Sequence, residues 1–522
     1  MASPAPALRT AALVVALVSV AAACSEDDAV PGPPAHGAGS TASPEASDSE
    51  RIEGSLSVAI GPPATLDPLR IADPGSVLIA RQLFEGLTRW DPRTGTVRPA
   101  AARSWSVGEG GRVFEFRLRR GMRFHDGTRV TSRDFRYAFD RIALKDNAAE
   151  VAYTLERVRG FVAVHERGTA RHLAGIETPG PLTLRISLRT PWQDFPAVLT
   201  HPSLVPLPRR AVEKRAAFRS RPIGNGSFAI SRPWRGKGPV LLTAFEDAIR
   251  PPRVERLRFV SFLDASRSWL PFTRGRLDVA EVPADQVGPA RRRYGSRGFR
   301  PLLAGLYFGL RLDAPGMGAR RVRVAISRAI DRDRIGDAIY EGTLARPRGV
   351  VPQGLPGFRS RVCGRACATS PKAAARRVGG LSREARKVIL DVDASALQQR
   401  VARAVRRDLE RSGFDVDVRP RRLGVFLRRL ARGRVEMFRF GWIAEYPSPD
   451  AFLTPLFSTR SPDNHTGFSS RKVDALLRRA RATASDKVST RLYRRAEKAI
   501  MRAVPVVPLG SFRMRWAVQP WV

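Results

Sequence analysis

The feature that most constrains this chain is a change of apolar period, repeated along its length. Leu56, Val58 and Ile60 alternate, as do Phe114, Phe116 and Leu118, and then Leu182, Leu184, Ile186 and Leu188. Period two places such side chains on one face of a half-buried strand. Other stretches carry the helical period. They include 77–87 with Leu78, Leu83 and Leu87, the run Phe135, Phe139, Ile142, and 322–338 with Val324, Ile326, Ile330 and Ile335. In 397–411, Leu397, Val401, Val405 and Leu409 form an apolar stripe, and Arg400, Arg403, Arg406 and Arg407 lie away from it. Further strands are expected over 257–262, 277–280, 306–312, 388–392, 414–418 and 435–441. Further helices are expected over 265–274, 425–431, 472–483 and 490–501. Strands interleaved with helices imply mixed α/β lobes. With 522 residues the chain exceeds one ordinary core, which implies two or three lobes.

Turn chemistry separates these elements. Gly61-Pro62-Pro63 ends the first strand, and Asp91-Pro92-Arg93-Thr94-Gly95 turns the chain after the first helix. Thr131-Ser132-Arg133-Asp134 has the form of a capping box with Asp in the place of Glu. Gly224-Asn225-Gly226 is a glycine turn leading into a strand.

The N-terminus reads as an address. Arg9 precedes an apolar run over 10–23, too short to span a membrane comfortably, and Ala21-Ala22-Ala23 leads into Cys24. This resembles a bacterial lipoprotein signal, with 1–23 as signal peptide and Cys24 as the lipidated first residue. Ala21 stands where such signals prefer Leu, so plain cleavage after an Ala-x-Ala site stays open. Residues 24–50 are rich in Ser, Ala, Pro, Gly and acids and cannot bury a core, so a flexible tether is expected.

The formal charge is +41, from 90 Lys and Arg against 49 Asp and Glu. One reading is a nucleic-acid or envelope-polymer binder. The other is a generally arginine-rich surface, and the even scatter of Arg without a nucleic-acid motif supports it. Cys363 and Cys367 lie four apart; no second Cys or His pair follows at metal-site spacing, and an exported chain can close them into a disulfide. Two unpaired thiols are the alternative. The six His include no HExxH pair, and neither a Gly-x-Ser-x-Gly elbow nor a phosphate-binding Walker loop occurs. No catalytic constellation, metal site or cofactor is expected. His125-Asp126-Gly127 reads as a turn rather than a catalytic pair.

Several blocks stand in a familiar order. They are Leu83-Phe84-Glu85-Gly86-Leu87, then Pro99 to Trp105, then the run from Phe114 through His125-Asp126-Gly127-Thr128 to Phe135. Gly224-Asn225-Gly226, Gly275 to Ala280, Val322 to Arg332 and Gly441-Trp442-Ile443-Ala444-Glu445-Tyr446-Pro447 follow. Together, from about Leu56 to Leu509, they resemble solute-binding protein family 5, the peptide and nickel receptors of ABC importers. The resemblance implies a two-lobe, periplasmic-binding-protein-like α/β fold of class II type, with an extra subdomain in the first lobe. It implies a first lobe over 51–305, a second over 306–490 and a return segment over 491–522. It also implies a monomeric receptor that is not an enzyme. Such a receptor sits outside the cytoplasmic membrane and delivers a peptide or peptide-like solute to a membrane permease, with no specific nucleic-acid partner. A non-transport sensor on the same fold is the remaining alternative. Glu445 matches the acid that pairs with a peptide's ammonium, Trp442 and Tyr446 flank it, and Gly441 lies in an extended run whose backbone could meet an extended ligand.

Overall fold

The computed structural model describes residues 54–522; the expected signal peptide, Cys24 and the tether lie outside the described residues. Three sheets organise the chain. The first has six strands in the order Trp516–Val518, Val279–Glu281, Ser55–Ile60, Arg256–Ser261, Val240–Ala244, Phe228–Ile230. Its centre is a parallel pair, Ser55 against Arg256 through Ile60 against Ser261. The second also has six strands, ordered Leu344–Ala345, Val506–Arg513, Pro301–Leu310, Met437–Ile443, Lys387–Asp393, Asp415–Arg421. A four-stranded antiparallel sheet, Ala102–Gly108, Val113–Leu118, Thr183–Ser187 and Ile176–Gly180, forms a subdomain whose core is continuous with that of the first sheet. The second sheet has separate apolar clusters. The fold is α/β with two lobes.

The alternating residues behave as their period dictates. Phe114, Phe116 and Leu118 are buried while Arg117 points outward, and Leu184 and Ile186 meet them from the paired strand. The capping box also forms. Asp134 Oδ2 accepts from the Thr131 backbone N–H at 2.7 Å and from its hydroxyl at 2.8 Å, and the helix Ser132–Ala143 follows.

Two expected helices come out differently. The stretch 77–87 is helical only as Pro74–Leu83, beginning at the Asp73 cap, whose carboxylate accepts from Ser76 N–H. Phe84 is extended because the chain beyond it is gripped by the glycine turn. Gly226 N–H donates to Leu83 O, and Asn225 exchanges two 3.0 Å hydrogen bonds with the backbone of Glu85. A Cβ on Gly226 would fall 2.3 Å from Gln82 O, so the close approach requires glycine. The stretch 322–338 splits into Arg320–Ala329 and Arg332–Ala338. Arg332 folds back into the core, where its guanidinium donates to Ser327 O, Ile330 O and Pro508 O at 2.8, 3.2 and 2.8 Å. Apolar period does not register a buried arginine satisfied by carbonyls.

Within 491–522, the helix Asp486–Ala503 and the strand Val506–Arg513 pack with the second sheet. Trp516–Val518 joins the first sheet beside Val279–Glu281.

Candidate functional site

The strand Met437–Ile443 lies inside the second sheet. On one side it pairs antiparallel with Pro301–Leu310 along its whole length, from Leu310 against Met437 to Ala304 against Ile443. On the other side Lys387–Asp393 pairs with it only at Met437 and Phe438. From Arg439 to Ile443 that second edge has no strand partner among the described residues. In an antiparallel pair alternate residues turn their N–H and C=O away from the partner, so this edge presents main-chain groups. An extended chain could add to it.

The four expected ligand residues lie in and just beyond this strand. Gly441 stands opposite Leu306, and a Cβ there would approach Leu306 Cδ2 to 3.1 Å. Trp442 is half-buried against the second-lobe core, and its indole N–H donates to Ala451 O at 2.6 Å. Glu445 is exposed just past the strand end. Tyr446 packs against the cores of both lobes; its hydroxyl donates to Asp450 Oδ2 at 2.8 Å, and its ring meets Trp192 edge-on with centroids 5.5 Å apart. Trp442 and Tyr446 therefore have their polar atoms engaged inside the protein, and Glu445 is the one carboxylate of the motif turned to the surface.

Behind this motif is a polar joint between the lobes. Asp450, completely buried, accepts from Arg481 Nε at 2.8 and 3.0 Å and from Trp192 Nε1 at 3.3 Å. Asp194, from the first lobe, accepts from the hydroxyls of Ser448 and Tyr493 at 2.5 and 2.6 Å. Gln193 N–H donates to Arg481 O at 2.8 Å, and the Arg157 guanidinium lies 4.2 Å over the Trp192 ring. Burial alone would raise the Asp450 carboxyl, but the charge and hydrogen bond of Arg481, the Thr454 hydroxyl and the charge of Arg157 together outweigh it and hold the group low. Asp194 has no guanidinium of its own, and burial followed by the Asp450 charge pushes it up. Burial likewise pushes the Tyr446 and Tyr493 hydroxyls well up, which keeps them as donors.

A pocket lies beside the same sheet, lined among others by Gly305, Tyr307, Val350, Phe358, Phe452 and Ser511. Its 350 loop is held by Glu497, which accepts from the N–H groups of Val350 and Val351 at 2.8 and 2.9 Å. Burial pushes the Glu497 carboxyl up to about 7, against the pull of those two N–H groups.

Sequence reading did not single out Asp194, Asp450, Arg481, Tyr493 or Glu497. Asp450 had a faint signal, since it lies five residues beyond Glu445. The others meet across separations such as 299 residues, which no local pattern records. His125 is a structural clip. Its Nδ1 accepts from Gly224 N–H at 3.2 Å, which leaves Nε2 to donate to Gly226 O at 3.2 Å, and burial pushes the ring down to about 4. Cys363 and Cys367 are joined, with Cα atoms 5.4 Å apart. No group of His, Cys, Asp and Glu among the described residues could hold a metal. No described helix is long and apolar enough to cross a membrane.

Residues 96–464 match the profile of the bacterial extracellular solute-binding proteins, family 5 (middle). The chain belongs to this family. It is accordingly an exported solute-binding protein, and its relatives are binding proteins rather than enzymes. The oligopeptide-binding protein OppA of Bacillus subtilis is 22% identical over 473 residues, covering 87% of this chain and 86% of the relative. Among solved structures, the murein tripeptide-binding protein MppA in its unliganded open form superposes with a TM-score of 0.80 at 21% identity, over 90% of this chain and 94% of that one. DppA of Helicobacter pylori in complex with the peptide STSA gives 0.65 at 22% identity, over 90% and 94%.

Proposed function

We propose that this protein is the extracytoplasmic receptor of an ABC-type importer, holding a peptide or peptide-like solute between its two lobes. The observation that carries this reading is the open strand edge over 439–443 with Glu445 exposed beside it. Main-chain groups on that edge bind an extended backbone whatever its side chains, and Glu445 receives the ligand's ammonium. Trp442 and Tyr446 act behind the edge, fixing its course through Ala451 and Asp450. The names of the relatives point the same way: one is an oligopeptide-binding protein and another binds the peptide STSA.

A ligand that touches both lobes favours the closed form, and a permease that recognises closure takes the loaded receptor. We take the lobes to divide near residue 305, with the chain crossing back after Val506–Arg513. Cys24 carries the lipid anchor in this reading, 24–50 is the tether, the Cys363–Cys367 bond reflects an oxidising compartment, and the receptor acts as a monomer.

The decisive experiment is mass spectrometry of small molecules released from natively purified protein, followed by calorimetric titration with the species found. Release of peptides that rebind one per chain is expected. Release of a non-peptide solute, with no peptide binding, would remove the peptide assignment and leave the receptor fold standing.

A further inference from the structure

Away from the strand edge, the helices Arg471–Ala482 and Asp486–Ala503 run antiparallel and enclose a furrow on the outer face of the second lobe. Its rim is Lys472, Arg495, Lys498 and Arg502, and its floor is Leu476 and Ala499. All four cations are exposed, and none has an ion pair among the described residues.

The two helices carry only three acids, and each is engaged elsewhere. Asp474 accepts from the backbone and hydroxyl of Thr459 at 3.0 and 2.7 Å. Glu497 turns inward to Val350 and Val351. Asp486 sits at the far end with Gln193. The negative end of the second helix is also covered. Arg320 donates to Arg502 O at 2.5 Å, and Arg323 donates to Ala503 O and Val504 O. The positive end of the first helix opens beside Lys472. Side chains and backbone thus leave a furrow of one sign with an apolar floor.

We propose that this furrow is a docking surface for an anionic membrane, with phospholipid phosphates against the four cations on its rim. The furrow's charge complements such a surface, the chain's net charge of +41 adds to the attraction, and export gives the chain access to an outer leaflet. Docking there would hold the second lobe in one orientation on the membrane. The inference uses the export of the chain and neither the peptide assignment nor the lipid anchor.

The test uses the full chain carrying Cys24→Ser, so that no lipid contributes, with vesicles of equal phosphatidylglycerol and phosphatidylcholine. Vesicles of phosphatidylcholine alone are the reference. The furrow variant K472Q/R495Q/K498Q/R502Q is compared with R383Q/R400Q/R403Q/R407Q, an equal loss of exposed charge from another face. Both must keep the parent's thermal midpoint. Cosedimentation is expected to fall on the order of tenfold or more for the furrow variant and by no more than about twofold for the control. Equal losses would mean that diffuse charge drives binding, and no loss would mean that the furrow is not the contact; either overturns the proposal. Retained vesicle binding with lost binding of a polyglutamate peptide would assign the furrow to an acidic protein segment instead. Failure here leaves the receptor reading untouched, because no peptide enters the measurement.

Discussion

Tyr493 donates its phenolic hydrogen bond to Asp194 Oδ2 at 2.6 Å, and so ties the last long helix of the second lobe to a carboxylate of the first. Asp194 also accepts from Ser448, three residues beyond Glu445. The joint between the lobes and the binding motif therefore share one polar network.

Tyr493→Phe tests the joint. It leaves the ring in place and removes one donor from a buried carboxylate, which costs on the order of 1.5–3 kcal/mol. Urea unfolding followed by fluorescence should show a lower midpoint. In a double-mutant cycle with Asp194→Leu, which has no acceptor, the two losses should not add, because each change removes the same hydrogen bond. Full additivity would mean that the pair is not coupled.

Glu497 gives a pH dependence with a defined sign. Its folded carboxyl is raised from 4.5 to about 7, so the folded state keeps a proton that the unfolded state has lost. This group's contribution to stability is present in full below about 4.5, falls as pH rises through that window, and is lost above about 7. Burial pushes Asp194 in the same direction, while Asp450, held low, loses its contribution only in strong acid. His125, His201 and His465, pushed down by burial, act in the opposite direction over the same window, so the prediction is a difference: the stability of Glu497→Gln relative to the parent should rise between about pH 4.5 and 7. An unchanged slope in the variant would show that Glu497 does not titrate with folding.

Glu445→Gln separates the ammonium contact from the main-chain contacts. Peptides with a free N-terminus should lose on the order of tenfold or more in affinity, the scale of a charge-assisted hydrogen bond. N-acetylated versions should change little. Equal loss for both, read by calorimetry, would remove Glu445 as the amine anchor.

Gly226→Ala tests the glycine turn. Its new methyl would meet Gln82 O and the Leu83 backbone, which cannot move as a side chain can. A destabilisation of about 1–3 kcal/mol or more is expected, the range of overpacked sites. A neutral result would mean that the 82–84 segment is free to shift.

Much of the fold was legible because short-range physics writes it into the chain. The period of Phe114, Phe116 and Leu118 gave the strand Val113–Leu118, and Thr131 with Asp134 gave a helix start that the structure reproduces. The family motifs led to Glu445 and its neighbours, and the structure adds that the main-chain edge beside them is open. What local pattern could not show is where a side chain's partner comes from. Arg332 breaks a helix because carbonyls as far off as Pro508 receive its guanidinium, and Phe84 leaves a helix because Asn225 and Gly226 grip the backbone beside it.

The sequence by itself determined the α/β alternation and the family motif around Glu445, since each rests on neighbouring residues. Only the tertiary structure decided that Asp194, Asp450, Arg481 and Tyr493 form one joint, and that the three acids on the last two long helices turn away from the four cations of the furrow. Both arrangements depend on residues brought together from distant parts of the chain. Burial, which decides whether a carboxylate is held low beside an arginine or pushed up without one, exists only once the lobes have packed.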